Sequence, residues 1–237
     1  MSRSAVIPFT RSRVNLVVDG NSLSASQGAS NGMSWPEQML ASFMPPGSDI
    51  ALTRVGIAGQ TWRQMSGTGP GGQGNGAWVA TDVDNAFDAN KRNILLAWET
   101  TNAVHVENRT PAQVAADAEE YVRGRLAAHP TWRIFVMSSI PRENVDQATA
   151  DTRNATLAAA DALIARQCRS WGAKGFITLR GVGSPWAFPD YALSRWGDNP
   201  QLWLESGGPS NVRVHLTDAG YRIVAQIVAM VLRNAPM

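Results

Sequence analysis

The sequence predicts a single α/β domain built on a doubly wound parallel sheet of about five strands. Short, nearly continuous apolar runs recur along the chain, and such runs are typical of parallel strands buried on both faces. Longer helical patterns separate these runs, which favours one open sheet with helices on both sides. With 237 residues, the chain can bury about 70% of its unfolded surface. One domain spanning residues 1–237 is therefore expected to fold without disulfides or a structural metal.

Each element has its own signal in the sequence. The candidate strands are Val14–Val18, Ile50–Val55, Ile94–Trp98, Ile134–Ser138 and Phe176–Leu179, and the candidate helices are Trp35–Phe43, Pro111–Ala128, Ala148–Trp171 and Thr217–Leu232. Ser34 and Thr110 stand where helices begin and are expected to act as N-caps, and Pro111 suits the first helical position. Gly172 marks a helix end. Two segments, 67–76 and 185–209, are too irregular for helices or strands and are predicted to be loops.

Composition excludes several classes of protein. Lys and Arg number 21 against 19 Asp and Glu, a net charge of +2 without basic runs, so we expect no nucleic-acid partner. The single cysteine, Cys168, excludes an intramolecular disulfide and a multi-cysteine metal site. No apolar stretch approaches the ~20 residues of a membrane-spanning helix. No secretion signal is recognised, so a cytoplasmic or virion-associated protein is expected.

Polar residues with catalytic potential follow the predicted strands. Ligands of open α/β sheets bind beyond the carboxyl ends of the strands. Ser22 follows the first strand on a turn that Gly20 permits, with backbone N–H groups near the next helix. Gly59 follows the second strand, Asn102 follows the third, and His215 precedes the last helix. Taken alone, each residue is more often a helix cap, a turn residue or a structural histidine.

Taken together, these segments resemble the sequence blocks of the SGNH hydrolases, also called GDSL esterases. Gly20-Asn21-Ser22-Leu23 matches the Gly-Asp-Ser-Leu block with Asn for Asp, and Gly59 matches the glycine of the second block. Thr100–Ala103 keeps the asparagine of the Gly-x-Asn-Asp block but lacks its glycine and aspartate. His215–Tyr221 is similar to the Asp-x-x-His block and the helix after it.

The resemblance implies a flavodoxin-like three-layer α/β/α fold and ester hydrolysis through an acyl-enzyme, without metal or organic cofactor. Ser22 would be the nucleophile, and His215 would be the general base and then the general acid. The N–H groups of Ser22 and Gly59 and the side chain of Asn102 would form the oxyanion hole. The substrate would be a small-molecule or glycan ester, and an O-acetylated carbohydrate is the first choice by analogy.

One departure concerns the acid of the triad. The family places it three residues before the histidine, where this chain has Val212, and the adjacent Asn211 cannot carry the charge. The acid fixes the tautomer of the histidine and stabilises its cation. A backbone carbonyl could orient His215 instead, or a loop carboxylate could replace the missing acid. The candidates are Asp190, Asp198 and Glu205. Asp218 is expected to cap the last helix.

Tryptophans near the predicted site allow two interpretations. Trp62 and Trp98 lie close to strand ends, and Trp186 and Trp196 lie in the long loop. Aromatic faces suit sugars and acyl groups, so these side chains could bind substrate. The alternative is that they give the loop its own packing.

Two further functions compete with the esterase. The absent acid favours a non-catalytic or weakly catalytic binding module, such as a virion or cell-surface attachment domain. A dinucleotide or flavin binder is weaker, because the first turn lacks Gly-x-Gly-x-x-Gly. A short distance between Ser22 Oγ and a ring nitrogen of His215 would favour the esterase.

Overall fold

A five-stranded parallel sheet forms the centre of the molecule. The computed structural model describes residues 14–67, 83–180, 196, 199–205 and 212–234. The strands are β1 (Val14–Gly20), β2 (Ile50–Arg54), β3 (Arg92–Trp98), β4 (Arg133–Met137) and β5 (Gly175–Ile177). Their order is β2-β1-β3-β4-β5, and every neighbouring pair is parallel. The order reverses between β1 and β3, which is where doubly wound sheets bind ligands.

Six helices of at least five residues accompany the sheet in the part of the chain that the structure describes. They are α1 (Trp35–Ser42), α2 (Trp62–Ser66), α3 (Thr101–His105), α4 (Pro111–Ala128), α5 (Gln147–Gln167) and α6 (Asp218–Asn234). Short 3₁₀ turns occupy Cys168–Trp171 and Pro200–Leu202. The short helices α2 and α3 were not predicted, because five residues are too few to show helical periodicity.

Alternation along the strands creates two apolar layers, one on each side of the sheet. Leu16, Leu96 and Met137 belong to one buried cluster, together with residues of α1 and α6. The intervening strand residues, among them Val17, Leu95, Ala97, Ile134 and Val136, belong to a second cluster with residues of α2, α4 and α5. Successive side chains of a strand point to opposite faces, so strands covered on both sides must be apolar throughout. The predicted three-layer α/β/α architecture is confirmed.

The predicted element bounds agree with the structure to within two residues for all five strands. Thr110 caps α4 as predicted, since its Oγ1 accepts a hydrogen bond from the Gln113 N–H. Ser34 occupies the N-cap position of α1, but its hydroxyl donates to Glu37 Oε2 at 2.7 Å and caps no backbone N–H.

The expectation that Asp218 caps the last helix is wrong. Asp218 is the first residue of α6, and its Oδ1 accepts a hydrogen bond from the Ser30 N–H at 2.8 Å. The Gly220 N–H donates instead to Thr217 Oγ1 at 3.3 Å. A threonine side chain is a good N-cap, and the aspartate one position later suits the positive end of the helix dipole.

The predicted loops fall mainly outside the described residues. Of 67–76 only Gly67 is described, and of 185–209 only 196 and 199–205 are described. Within the described ranges, no helix combines the length and the hydrophobicity that crossing a membrane requires.

Candidate active site

The turn after β1 is built against the end of β3. Gly20 has φ +141°, and a Cβ placed there would lie 2.0 Å from the carbonyl oxygen of Trp98, so only glycine fits. The Asn21 N–H donates to that same carbonyl at 3.3 Å. The chain therefore enters Ser22 at the switch point between β1 and β3.

Ser22 lies in a series of turns over residues 21–28 and not at a helix end. The Asn21 side chain accepts a hydrogen bond from the Leu23 N–H at 2.9 Å, and the Ser22 carbonyl accepts one from the Gln27 N–H at 2.9 Å. The next helix, α1, begins only at Trp35. Ser22 is therefore not a helix-capping serine, and backbone turns rather than a helix surround its N–H.

His215 lies next to Ser22. The two atoms Ser22 Oγ and His215 Nε2 are 2.8 Å apart, within hydrogen-bond distance, although the residues are 193 positions apart in the chain. The His215 segment pairs antiparallel with residues 203–204, where the Leu204 N–H donates to the His215 carbonyl at 3.0 Å. It is linked to the turns after Ser22 by the Tyr221 hydroxyl, which donates to the Gln27 carbonyl at 2.8 Å. A hydroxyl this close to an imidazole nitrogen is the arrangement needed for general-base activation.

The imidazole of His215 is neutral at physiological pH. Burial lowers the pKa of His215 to about 4, and the nearby positive charge of Arg142 contributes to the shift. Desolvation disfavours the charged form of a histidine, and a neighbouring cation acts in the same direction. Neutral His215 can accept a proton from Ser22.

Asn102 lies in the first turn of α3, at the carboxyl end of β3. Its Nδ2 donates to the Gln60 carbonyl at 3.0 Å, which connects the second and third predicted blocks. Its backbone N–H donates to Glu99 Oε1 at 2.8 Å. An amide nitrogen carries two hydrogens, so the bond to Gln60 fixes the orientation of the amide and leaves a second N–H for an oxyanion.

Gly59 lies in an exposed turn beside Gln60. It has φ +83°, and no heavy atom lies within 4 Å of the position that a Cβ would occupy. Glycine suits this left-handed backbone, and the open space lets a ligand approach the peptide closely. The oxyanion-hole role of the Gly59 N–H stays a prediction.

The third block has a threonine, Thr100, where the family has glycine, and the backbone there keeps a conformation that favours glycine. Thr100, at the position of the glycine of that block, has φ +79°. The side chain of Thr100 accepts a hydrogen bond from Trp62 Nε1 at 3.2 Å. Glu99 precedes it, is completely buried and accepts from the N–H groups of Thr100, Asn102 and Ala103. Burial raises the pKa of Glu99 to about 8, although the three N–H groups oppose the shift.

The candidate acids are only partly within the described residues. Asp190, Asp198 and Asn211 lie outside them, as does Trp186. Glu205 is exposed, and its carboxylate accepts a hydrogen bond from Trp196 Nε1. Trp196 also stacks on Arg213, with the guanidinium carbon 3.5 Å from the ring centre.

The expectation that Trp62 and Trp98 bind substrate is wrong for this structure. Both side chains are 0% exposed, so neither can touch a ligand. Trp98 Nε1 donates to the Ser138 carbonyl at 2.9 Å, and Trp62 packs against Tyr121. Nearness to a strand end does not decide exposure, and large aromatic side chains contribute most when buried.

Sequence reasoning missed Arg142. It follows β4, the neighbour of β3, and its Nη1 lies 3.5 Å from Asn102 Oδ1. The rule that locates Ser22, Gly59 and Asn102 applies equally to the end of β4. Inspecting the residues after Ile140 would have identified this arginine.

Comparison with known proteins shows that this chain is similar to solved structures at the level of the fold. No family model matches the sequence, and no curated protein matches it. A member of the lipolytic protein G-D-S-L family from Veillonella parvula superposes with a TM-score of 0.65 over 93% of this chain and 99% of its own, at 12% identity. A carbohydrate acetylesterase from Sinorhizobium meliloti gives 0.63 over 93% and 99%, also at 12% identity. Phospholipase A1 from Streptomyces albidoflavus gives 0.58 over 93% and 98%, at 13% identity. The fold predicted from the SGNH resemblance is confirmed.

Proposed function

We propose that this chain, which has the fold of the lipolytic G-D-S-L structures, is a serine ester hydrolase of the SGNH type. The observation that carries the proposal is the 2.8 Å contact between Ser22 Oγ and His215 Nε2 at the switch point of the sheet. A nucleophile and a neutral base in contact are the core of covalent acyl transfer.

The reaction would proceed in two halves. Ser22 Oγ attacks the ester carbonyl carbon while its proton passes to His215 Nε2, and the alcohol then leaves with that proton. Water attacks the resulting acyl-serine, gives a proton to His215, and the acid departs as Ser22 regains its proton. One water is consumed for each ester cleaved. The N–H groups of Ser22 and Gly59 and the second N–H of Asn102 would stabilise the oxyanion in both halves.

The orientation of His215 would come from a backbone carbonyl or from a carboxylate of the 185–209 loop, either Asp190 or Asp198. Glu205, the third predicted candidate, accepts a hydrogen bond from Trp196 instead. An O-acetylated carbohydrate is the first substrate class to test, because a carbohydrate acetylesterase shares the fold over nearly the whole chain. A non-catalytic or weakly catalytic binding module is the second candidate, because Val212 stands at the position of the family's acid.

Hydrolysis of p-nitrophenyl acetate by purified protein tests the proposal. We expect Ser22→Ala to lower kcat by ~10³-fold or more, since the nucleophile has no substitute. Ser170→Ala is the matched control, because that serine is exposed and bonds only the Gln167 carbonyl among described contacts. Equal turnover by wild type and Ser22→Ala would refute the proposal. Absence of turnover on a broad panel of esters would favour the binding module.

A further inference from the structure

Arg142 is held firmly beside the candidate site. Its backbone N–H donates to Asn154 Oδ1 at 2.9 Å, and its carbonyl accepts from Asn154 Nδ2 at 3.2 Å, so one side chain of α5 binds both peptide groups. Its Nε donates to Asn144 Oδ1 at 2.9 Å. The backbone of Arg142 is therefore fixed at both of its peptide groups, and its guanidinium is restrained at Nε, before any ligand arrives.

The free end of this guanidinium faces the catalytic groups. Nη1 lies 3.5 Å from Asn102 Oδ1, at the long limit of a hydrogen bond. The charge is also close enough to His215 to disfavour its protonated form. Arg142 thus stands next to both the oxyanion donor and the base of the proposed mechanism.

The charge of Arg142 has no ion-pair partner among the residues that the structure describes. Burial lowers the pKa of Arg142 to about 10, and the positive charge of Arg153 acts in the same direction. The guanidinium therefore stays positive at neutral pH. A half-buried cation without a counter-ion is unfavourable, and an anionic ligand would relieve that cost.

We propose that Arg142 makes this site selective for esters that carry an anionic group near the scissile bond. A carboxylate is the simplest such group. The inference rests on the proposed esterase function. Guanidinium groups bind carboxylates through paired, charge-assisted hydrogen bonds. An anion bound to Arg142 would also offset the positive charge that opposes protonation of His215 during acyl transfer.

The competing explanation is that Arg142 only orients Asn102 through its Oδ1. In that case the arginine would matter equally for every ester, whatever its charge. The two roles therefore differ in substrate selectivity and not in the size of the overall effect.

Matched substrates separate the two roles. We would compare 3-acetoxybenzoate and the 4-nitrophenyl monoester of adipic acid with their methyl esters, which place a charged or a neutral group on the alcohol side or on the acyl side. For at least one pair we expect wild type to prefer the carboxylate in kcat/KM by about 10- to 100-fold, the scale of a hydrogen bond to a charged group. Arg142→Gln should abolish that preference, and Arg142→Lys should retain part of it.

Arg123→Gln controls for the change in net charge, because Arg123 is 57% exposed and pairs with Glu119 on the surface. It should leave the preference intact. Equal rates for charged and neutral esters in wild type would overturn the inference, and so would an equal loss on both in Arg142→Gln.

Binding of esters to the Ser22→Ala variant, measured by calorimetry, tests the anion site separately from the proposed esterase activity. Ser22→Ala should bind 3-acetoxybenzoate more tightly than its methyl ester, and the double variant with Arg142→Gln should lose that difference. If wild type hydrolyses no ester but this binding pattern is found, the esterase proposal fails and the anion site stands. If the binding pattern is absent as well, the anion site fails too.

Discussion

At the scale of single residues, the candidate site contains four residues that the sequence predicted and one, Arg142, that it did not. Ser22, Gly59, Asn102 and His215 were predictable because strand ends of an open sheet face one edge. Their side-chain environment was not, since the burial of His215 and the charge beside it depend on Arg142 from another strand end. The prediction that Trp62 and Trp98 bind substrate was wrong for the same reason, because position along the chain does not reveal exposure.

The pH dependence of activity is the first residue-scale prediction. His215 must be neutral to act as a base, and its pKa is about 4 where 6.5 is ordinary. We expect kcat/KM to persist down to about pH 5 and to fall to half near the pKa. Arg142→Gln should move this midpoint upward, because a nearby positive charge is lost. A midpoint near 6.5 in both proteins would contradict the environment described for His215.

The lowered pKa of His215 also makes the free energy of unfolding depend on pH. The unfolded chain protonates its histidine near 6.5, above the folded pKa of about 4. Between these values the unfolded state binds more protons, so the contribution of His215 to the free energy of unfolding is lost as pH falls from 6.5 to about 4.

Thr100 supplies a second residue-scale prediction. A threonine at φ +79° is strained, whereas glycine adopts this conformation freely. Thr100→Gly and Thr100→Ala both remove the hydroxyl that binds Trp62, so their difference isolates the backbone. We expect the glycine variant to be more stable than the alanine variant by about 1 kcal/mol in urea unfolding. An alanine variant of equal or greater stability would show that the backbone relaxes at this position.

At the scale of elements, long helices and buried strands were predictable and short ones were not. Thr110 and Pro111 define the start of α4, and Gly172, with φ +102°, follows the end of the 3₁₀ turn after α5. α2 does carry such signals, since Thr61 and Gln64 form a capping box at its start and Gly67, with φ +88°, follows its end, but its five residues are too few to show helical periodicity. At the start of α3 the Glu99 side chain accepts from the Asn102 and Ala103 N–H groups, and glutamate is not among the usual N-cap residues.

A hydrogen bond between α4 and β1 gives the element-scale prediction. Tyr121 of α4 donates to the buried carboxylate of Asp19 at 2.5 Å, one residue before Gly20. Burial and Asp19 hold the pKa of Tyr121 well above its usual range, so the hydroxyl stays a donor. Tyr121→Phe removes this donor to a buried carboxylate, and we expect a loss of about 1–3 kcal/mol in the free energy of unfolding.

Tyr221→Phe is the matched control for that measurement. Its hydroxyl also donates from a buried ring, but to the neutral carbonyl of Gln27 at 2.8 Å. Hydrogen bonds to charged groups are the stronger class, so Tyr221→Phe should cost less. An equal or larger loss in Tyr221→Phe would contradict the importance of the link between α4 and the end of β1.

At the scale of the whole molecule, the pattern of apolar residues in the sequence predicted the architecture. Continuous apolar runs predicted strands covered on both faces, and the two buried clusters on opposite sides of the sheet are the physical counterpart. The strand order was implied only through the SGNH resemblance, because a linear pattern does not encode which strand is central. The contact between Ser22 and His215 joins two distant parts of the chain, which the hydrogen bond from Tyr221 to the Gln27 carbonyl also links.

Covalent trapping of Ser22 tests the central claim most directly. Wild-type protein would be treated with a fluorophosphonate at neutral pH, and the modified peptide would be located by mass spectrometry. We expect one equivalent of reagent on Ser22, with the rate of labelling reduced at least ~10²-fold in His215→Ala, because the base that activates the hydroxyl is gone. Absence of labelling, modification of another residue, or an unchanged rate in His215→Ala would contradict the claim that this pair forms the catalytic core.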